Sequence, residues 1–284
     1  RTLVAMVLAN SLRYNNLDVI ETGYGISLRP LSIFANEVYK DADTSRFQVK
    51  LMGADAQQYT EKDKLLSARM YKAITMILFK LEGQKILRRP EFGMADRLLL
   101  DKIDYENNTI TLNGETYPLN DGHFPPIDPA DPYALTDADQ PLIDSLTHAF
   151  RHSKALRKHI EFLYNDGALY KTCNGNLLFH GCVPMTPDGQ FDAVTSFDGV
   201  TRKGRAYMDF CDKTARAAFY EHSQDALDFM YYLWCGRQSP LFGRERMTTF
   251  ERYFVADRKT WTETKNPYYD LVESYETAAF ILRE

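Results

Sequence analysis

Apolar residues recur at helical spacing in two stretches of the chain, and these stretches predict its first helices. One runs from Leu3 to Leu12, and the clearest one runs from about Glu61 to Leu87 and stops before Pro90. In the longer stretch one side of the helix collects the apolar side chains of Leu66, Met70, Ile74, Ile77, Leu78 and Leu81. We interpret this stripe as core packing.

Further helices follow from start signals and periodicity. After Arg29-Pro30 the pattern becomes mainly helical. Thr136, with Asp139 three positions later, resembles a capping box and opens a helical stretch that reaches about Tyr164. Two more helices are predicted over residues 204–220 and 224–234.

Short runs between turn residues predict the strands. Leu17 to Ile20 is expected to be a strand after the opening helix, and residues 103–119 are expected to form a small β-hairpin or meander. Residues 168–173 and 176–180 are predicted to pair through Asn174-Gly175, a good two-residue hairpin signal. Helices mixed with strands indicate an α/β (α+β) fold.

Size and charge narrow the class of protein. The chain has 284 residues, 44% of them hydrophobic, which is enough for one large or two modest domains. The formal net charge of -5 argues against a nucleic-acid or anionic-membrane surface, although local basic sites remain open. Four cysteines without Cys-x-x-Cys spacing indicate free thiols, and no apolar run approaches the roughly 20 residues of a membrane helix. We expect a cytoplasmic protein that binds neither nucleic acid nor membrane.

The strongest candidate chemistry lies between Cys173 and Pro184. His180 follows the apolar run Leu177-Leu178-Phe179, which predicts a short buried strand, and Gly181 ends that strand at once. The imidazole is therefore expected at the carboxyl edge of a strand, where α/β folds place ligands. A single histidine does not make a metal site, because metals take about four ligands. A core histidine is the alternative interpretation.

This segment resembles the His-Gly turn of the class III fructose-1,6-bisphosphatases, bacterial members of the calcineurin-like metallophosphoesterase superfamily. The resemblance extends over essentially the whole chain and follows the order of the family. It also includes Tyr14–Ile26, Leu28–Leu31, Phe79–Glu82, His123–Pro125, Tyr232–Gly236, Ser239–Gly243 and Met247–Phe254.

The resemblance implies a fold and a domain organisation. Residues 1–30 and 166–284 would form parts of a metallophosphoesterase β-sandwich core flanked by helices. Residues 31–165 would be a helix-rich insertion that carries the small β-hairpin.

The resemblance also implies the chemistry. The family hydrolyses fructose 1,6-bisphosphate to fructose 6-phosphate and phosphate, a step of gluconeogenesis, with two divalent cations that activate water; manganese is the expected metal. His180 would bind one cation, and Gly181 would leave room beside it. Asn176 would orient groups around the metals, or it serves only the hairpin turn, which we favour. For Cys182 a small buried thiol is favoured over a nucleophile.

A sugar bisphosphate carries two anionic groups, so this acidic chain must gather cations locally. Arg237 and Arg252, in a segment rich in glycine and arginine, are the leading substrate-binding candidates, and the run Arg202–Arg205 at a predicted helix start comes next. A solvated or ion-paired side chain is the alternative for each of them. The other helix-borne histidines are expected at the surface: His148, His152, His159 and His222.

The remaining ligand motifs of the superfamily are not found in the sequence, and no catalytic residue is identified besides the ligand. The string Asp121-Gly122-His123 precedes prolines and is interpreted as a turn. Because the chain starts at Arg1 inside an apolar segment, we expect it to be the middle of a longer enzyme and inactive in isolation. The alternative is a non-catalytic remnant or a protein-interaction module. A homo-oligomer is compatible with either.

Overall fold

The structure is a computed structural model that describes residues 1–51, 59–122, 124 and 127–283. Helices dominate it, and short antiparallel strands connect some of them. The helices are α1 (Thr2–Arg13), α2 (Arg29–Val38), α3 (Glu61–Arg88), α4 (Asp139–His152), α5 (Lys154–Asp166), α6 (Gly204–Tyr220), α7 (Gln224–Cys235), α8 (Thr249–Phe254), α9 (Tyr268–Leu271) and α10 (Tyr275–Arg283). Short 3-10 turns cover Pro90–Phe92, Ala95–Arg97, Leu100–Lys102 and Arg258–Trp261.

The chain divides into two compact units. Unit 1 contains residues 1–84, 98–161 and 249–260, and unit 2 contains residues 85–97, 162–248 and 261–284. The boundaries of these units do not show which segment is an insertion. The predicted division into core parts 1–30 and 166–284 and an insertion 31–165 therefore stays a prediction.

In unit 1 the opening helix is confirmed and the strand after it is wrong. α1 buries Ala5, Leu8 and Leu12, which recur at helical spacing. Leu17 to Ile20 does not form a strand, because the chain coils into a π-helical turn over Val19–Gly23, closed by a bond from the Tyr24 N–H to the Val19 carbonyl. Ile20 is buried whereas Val19 is 52% exposed, so this run lacks the burial that a core strand requires.

The predicted long helix is confirmed as α3, but its burial differs from the expected stripe. Every residue from Tyr71 to Lys80 is buried, so the helix is enclosed on all sides rather than on one face. Lys72 and Lys80 lie inside this stretch and donate to Asp121 and Asp139, respectively, the second pair at 2.7 Å. Charged side chains buried this deeply require such partners.

The helical stretch predicted from Thr136 begins as expected and then breaks. The Thr136 N–H donates to the Asp139 carboxylate at 3.0 Å, and the Asp139 N–H donates to the Thr136 hydroxyl at 3.1 Å, which confirms the capping box. One continuous helix to Tyr164 is wrong, because Ser153 separates α4 from α5. The Ser153 hydroxyl donates to the Tyr24 carbonyl at 2.7 Å and accepts the Leu156 N–H at 3.3 Å, so it caps the second helix.

The predicted meander is a three-stranded antiparallel sheet. Its strands are β1 (Ile103–Asp104), β2 (Thr109–Leu112) and β3 (Glu115–Pro118), in the order β1-β2-β3. Asn113 and Gly114 turn between the last two strands with positive φ of 51° and 84°, as a two-residue hairpin requires.

Unit 2 contains two further antiparallel pairs. Strand β4 (Tyr170–Cys173) pairs with β5 (Asn176–Phe179), and β6 (Val194–Thr195) pairs with β7 (Thr201–Arg202). The hairpin is confirmed, but its expected burial is wrong: Leu177 and Phe179 are half-buried, and Leu178 is 54% exposed. The β-sandwich core stays a prediction from the resemblance.

The helices predicted over 204–220 and 224–234 are confirmed as α6 and α7. None of the helices that the structure describes combines the length and the apolar character needed to cross a membrane.

Candidate functional site

The hairpin β4-β5 presents His180 directly after its second strand. Asn174 and Gly175 have φ of 51° and 76°, the left-handed pair that a tight two-residue hairpin turn needs. Cys173 pairs with Asn176 in the ladder, and His180 follows one residue beyond its end. His180 is exposed. The sequence therefore identified the turn and the exit of the histidine correctly.

Gly181 lets the chain turn closely against a second loop. Its φ is 83°, and a Cβ placed on it would lie 2.2 Å from the Pro240 carbonyl oxygen. The next N–H, that of Cys182, donates to this same oxygen at 2.9 Å. Only glycine fits this conformation and this close approach without displacing backbone. The glycine thus sets the contact between the His180 turn and the loop 239–243.

Cys182 faces the core of unit 2. Its side chain is fully buried and packs in a cluster with Val183, Met185, Phe191 and Tyr268. Burial raises the pKa of the Cys182 thiol to about 12. The thiol is therefore protonated near neutral pH, which agrees with the buried-thiol interpretation and not with a nucleophile.

Arg237 and Arg252 occupy different parts of the chain. Arg237 is exposed in unit 2, three residues before the Pro240 carbonyl that holds the His180 turn. Arg252 is exposed on α8 in unit 1. Their predicted role in phosphate binding stays a prediction.

The run Arg202–Arg205 is engaged mainly within the protein. Arg202 donates to Asp198 at 2.7 Å and lies over the Phe210 ring at 4.3 Å, and Arg205 donates to the Tyr170 hydroxyl at 3.2 Å. These contacts favour the alternative of a solvated or ion-paired side chain for both arginines: Arg202 is ion-paired, and Arg205 is 68% exposed and lies 3.8 Å from the Asp209 carboxylate.

Asn176 serves the hairpin. Its side-chain amide donates to the Asn174 carbonyl at 3.3 Å, within the same turn. This contact agrees with the turn interpretation, and a role around a metal stays a prediction. His148, His152, His159 and His222 are exposed as expected, and the rings of His148 and His152 stack at 3.9 Å on α4. His222 lies just beyond the end of α6 rather than within a helix.

A divalent metal needs several ligands, and the described residues do not supply them together. Among residues 1–51, 59–122, 124 and 127–283, no three histidine, cysteine, aspartate or glutamate side chains converge to hold an ion. The role of His180 as one metal ligand stays a prediction, and these residues do not form a complete metal site. The string Asp121-Gly122-His123 lies partly outside the described residues, because His123 is not described; Asp121 pairs with Lys72.

Sequence reasoning missed a buried ion cluster in unit 2. The Asp228 carboxylate is fully buried and accepts bonds from Lys85, Arg88 and Arg89, with both Arg88 contacts at 2.8 Å. Burial alone would raise the pKa of Asp228, but the hydrogen bonds from these cations outweigh it and hold the pKa well below its usual range. The only sequence signal was an aspartate on the apolar face of a predicted helix, which indicates a buried partner.

His180 is thus an exposed residue on a glycine turn that is held against the loop 239–243. A sequence profile of the family described as Firmicute fructose-1,6-bisphosphatase matches residues 1–284. The chain therefore belongs to this family.

Named relatives agree with the family. The chain is 46% identical to "Fructose-1,6-bisphosphatase class 3" of Clostridium novyi (strain NT), with 99% of this chain and 42% of the relative covered. It is 47% identical to the protein of the same name from Listeria monocytogenes serovar 1/2a, with 100% and 44% covered. The chain thus spans less than half the length of these relatives. No solved structure gives a significant match.

Proposed function

We propose that the protein carrying this chain hydrolyses fructose 1,6-bisphosphate to fructose 6-phosphate and phosphate. The observation that carries the proposal is the family match over residues 1–284, together with relatives named fructose-1,6-bisphosphatase class 3. The chain corresponds to 42% to 44% of those relatives, so the activity belongs to the proposal and not to the match itself.

His180 is the residue of this chain that we place at the reacting centre. It is exposed, and it is held on a turn whose backbone is fixed by Gly181 and by the bond from the Cys182 N–H to Pro240. In the proposed enzyme two divalent cations, with manganese the expected ion, would supply an activated water, and His180 would give one of them an imidazole nitrogen. Its neighbours in the metallophosphoesterase core would supply the other ligands.

Arg237 and Arg252 are the proposed contacts for the two phosphate groups. Arginine suits this task, because its planar guanidinium donates two parallel hydrogen bonds to phosphate oxygens. Both side chains belong to exposed residues, and Arg237 lies three residues before Pro240, whose carbonyl accepts the Cys182 N–H.

We propose further that residues 1–284 alone are inactive. The described part of the chain brings no three metal-binding side chains together, and a phosphoesterase site of this kind needs more than one ligand. The same observation favours a second candidate, a non-catalytic protein-interaction module, in the case that the gene encodes these residues alone.

The experiment compares this chain with the complete gene product. Phosphate release from fructose 1,6-bisphosphate with manganese is measured for residues 1–284, for the complete product, and for its variants His180→Ala and Arg237→Ala. We expect background activity from residues 1–284, a loss of at least about 100-fold for His180→Ala, and a raised KM for Arg237→Ala. Arg205→Ala, whose guanidinium is bonded within the protein, is the matched control and should keep its KM.

Three outcomes contradict parts of the proposal. An active 1–284 chain would show that its ligands are complete after all. A fully active His180→Ala product would remove the histidine from the metal site, and a complete product that is inactive on this sugar bisphosphate would favour the interaction module.

A further inference from the structure

The His180 turn is fastened to the rest of unit 2 by a side chain far away in sequence. Asn266 is 8% exposed, and its Oδ1 accepts the Met185 N–H at 3.1 Å and the Tyr268 N–H at 3.0 Å. The Asn266 N–H donates to the Gly243 carbonyl at 3.0 Å. One buried asparagine therefore connects Met185, which follows the His180 turn, with Gly243, the last residue of the loop 239–243.

The loop 239–243 is itself rigidly held. Ser239 is fully buried; its hydroxyl donates to the Leu233 carbonyl and accepts the Leu241 N–H at 3.1 Å. The Ser239 carbonyl accepts the Gly243 N–H at 3.1 Å. These bonds fix the Pro240 carbonyl between them, and that carbonyl accepts the Cys182 N–H.

These bonds close a ring around the residues that follow His180. Starting from Cys182, the ring passes to Pro240, along the loop to Gly243, to Asn266, and back to Met185. We name this ring the Asn266 clasp. Backbone N–H groups buried without an acceptor are costly, so the clasp strongly favours one conformation of the turn.

We propose that Asn266 is a positioning residue for His180: through the Asn266 clasp it fixes the direction in which the turn presents the imidazole. This inference rests on the proposed function only in treating His180 as a working residue. The geometry of the clasp does not depend on what His180 binds.

Two substitutions at one position separate the roles of the side chain. Asn266→Leu keeps the approximate volume but removes the acceptor that the Met185 and Tyr268 N–H groups require. Asn266→Asp keeps an oxygen acceptor in the same place, and a carboxylate that accepts two N–H bonds is well satisfied. Thr248→Val is the control, because it removes a buried hydroxyl of unit 2 that bonds Glu263 at 2.9 Å and lies outside the clasp.

The first measurement is made on residues 1–284 by NMR. For Asn266→Leu we expect the amide hydrogen of Met185 to exchange at least about 10-fold faster and the His180 ring resonances to shift or broaden. Asn266→Asp and Thr248→Val should leave both signals close to those of the unsubstituted chain. Unchanged exchange and unchanged His180 resonances in Asn266→Leu would overturn the proposal.

The second measurement uses the complete gene product and its phosphatase activity. We expect Asn266→Leu to lower kcat by about 10- to 100-fold with little change in KM, and Asn266→Asp to restore it. If Asn266→Leu retains full kcat while His180→Ala is inactive, the positioning role fails and the proposed function stands. If His180→Ala is also fully active, the proposed metal-ligand role of His180 fails, and the NMR result alone decides whether the clasp positions the residue.

Discussion

Two glycines in unit 2 differ in how much space surrounds the position of a side chain. Gly175 and Gly181 both have positive φ, 76° and 83°. Nothing lies within 4 Å of a Cβ placed on Gly175, whereas at Gly181 such an atom would meet the Pro240 carbonyl. A side chain at Gly175 would therefore cause backbone strain alone, whereas a side chain at Gly181 would cause backbone strain and a steric conflict.

Substituting both glycines with alanine tests this difference. Gly175→Ala should lower the free energy of unfolding by about 1 kcal/mol, the cost of a left-handed non-glycine residue. Gly181→Ala should lower it by at least about 1 kcal/mol more, because Pro240 must also move. Urea denaturation of residues 1–284 measures both. Equal losses in the free energy of unfolding would show that the loop 239–243 moves away from the added methyl group at no cost.

Asp228 makes a second prediction at the residue scale. Replacing it with asparagine leaves Lys85, Arg88 and Arg89 without their shared carboxylate, so we expect a loss of about 3 to 5 kcal/mol in the free energy of unfolding. Asp225→Asn is the control: Asp225 is 59% exposed and contacts only Arg89 among these cations, so it should cost less than about 1 kcal/mol. Chemical denaturation at neutral pH compares the two variants.

The pKa of Asp228 gives the same cluster a pH dependence. Its pKa is lowered in the folded protein relative to about 3.9 in an unfolded chain, so the unfolded state binds the proton more readily. The stabilisation is fully present above about pH 4 and is lost as the pH falls towards the folded pKa. The free energy of unfolding, measured from pH 6 to pH 3, should fall less steeply for Asp228→Asn than for the unsubstituted chain. Parallel profiles would contradict the assignment.

Among the elements, α3 shows how a buried helix accommodates charge. Lys80 and Asp139 form an ion pair at 2.7 Å with both side chains almost fully buried. Such a pair contributes less than its Coulomb attraction suggests, because both charges lose their hydration. Breaking it is costly, because the remaining charge stays buried.

The ion pair of Lys80 with Asp139 predicts how much stability α3 loses when the lysine is replaced. Lys80→Met should lower the free energy of unfolding by about 3 to 5 kcal/mol, since the Asp139 carboxylate remains buried without its cation. Lys64→Met, on the first turns of the same helix, removes only a pair with exposed Glu61 and should cost less than about 1 kcal/mol. Thermal and urea unfolding of both variants provide the comparison. Similar small losses would mean that Asp139 finds water or another donor.

Elements whose signals are local were predicted well. α1, α6 and α7 follow their periodicity, and the capping box of Thr136 and Asp139 forms both of its bonds. The break at Ser153 was not predicted, because it depends on the Tyr24 carbonyl, which is distant in sequence. A serine within a helical pattern does not by itself indicate a break.

At the scale of the whole molecule, folding separates the four cysteines into two groups. Cys173 is exposed, and Cys182, Cys211 and Cys235 are buried. Burial also raises the pKa of the Cys182 and Cys211 thiols to about 12. A disulfide reagent such as Ellman's reagent should therefore modify one thiol rapidly in the folded chain and all four after denaturation.

Cys173→Ser provides the control for thiol reactivity, because the folded variant should show no rapid phase. Two or more fast thiols in the unsubstituted chain would show that at least one of the buried cysteines becomes accessible in solution.

The sequence by itself determined the family resemblance, the main helices, the hairpin turns and the exit of His180 from its strand. The resemblance rests on segments along the whole chain, whereas the helices, the hairpin turns and the His180 exit depend on residues close together. Tertiary structure decided that α3 is buried on every side, that Leu17 to Ile20 is not a strand, and that Asp228 collects three cations. It also decided how the His180 turn is held, since Asn266 lies 81 residues from Met185, and only the folded core brings that acceptor to that N–H.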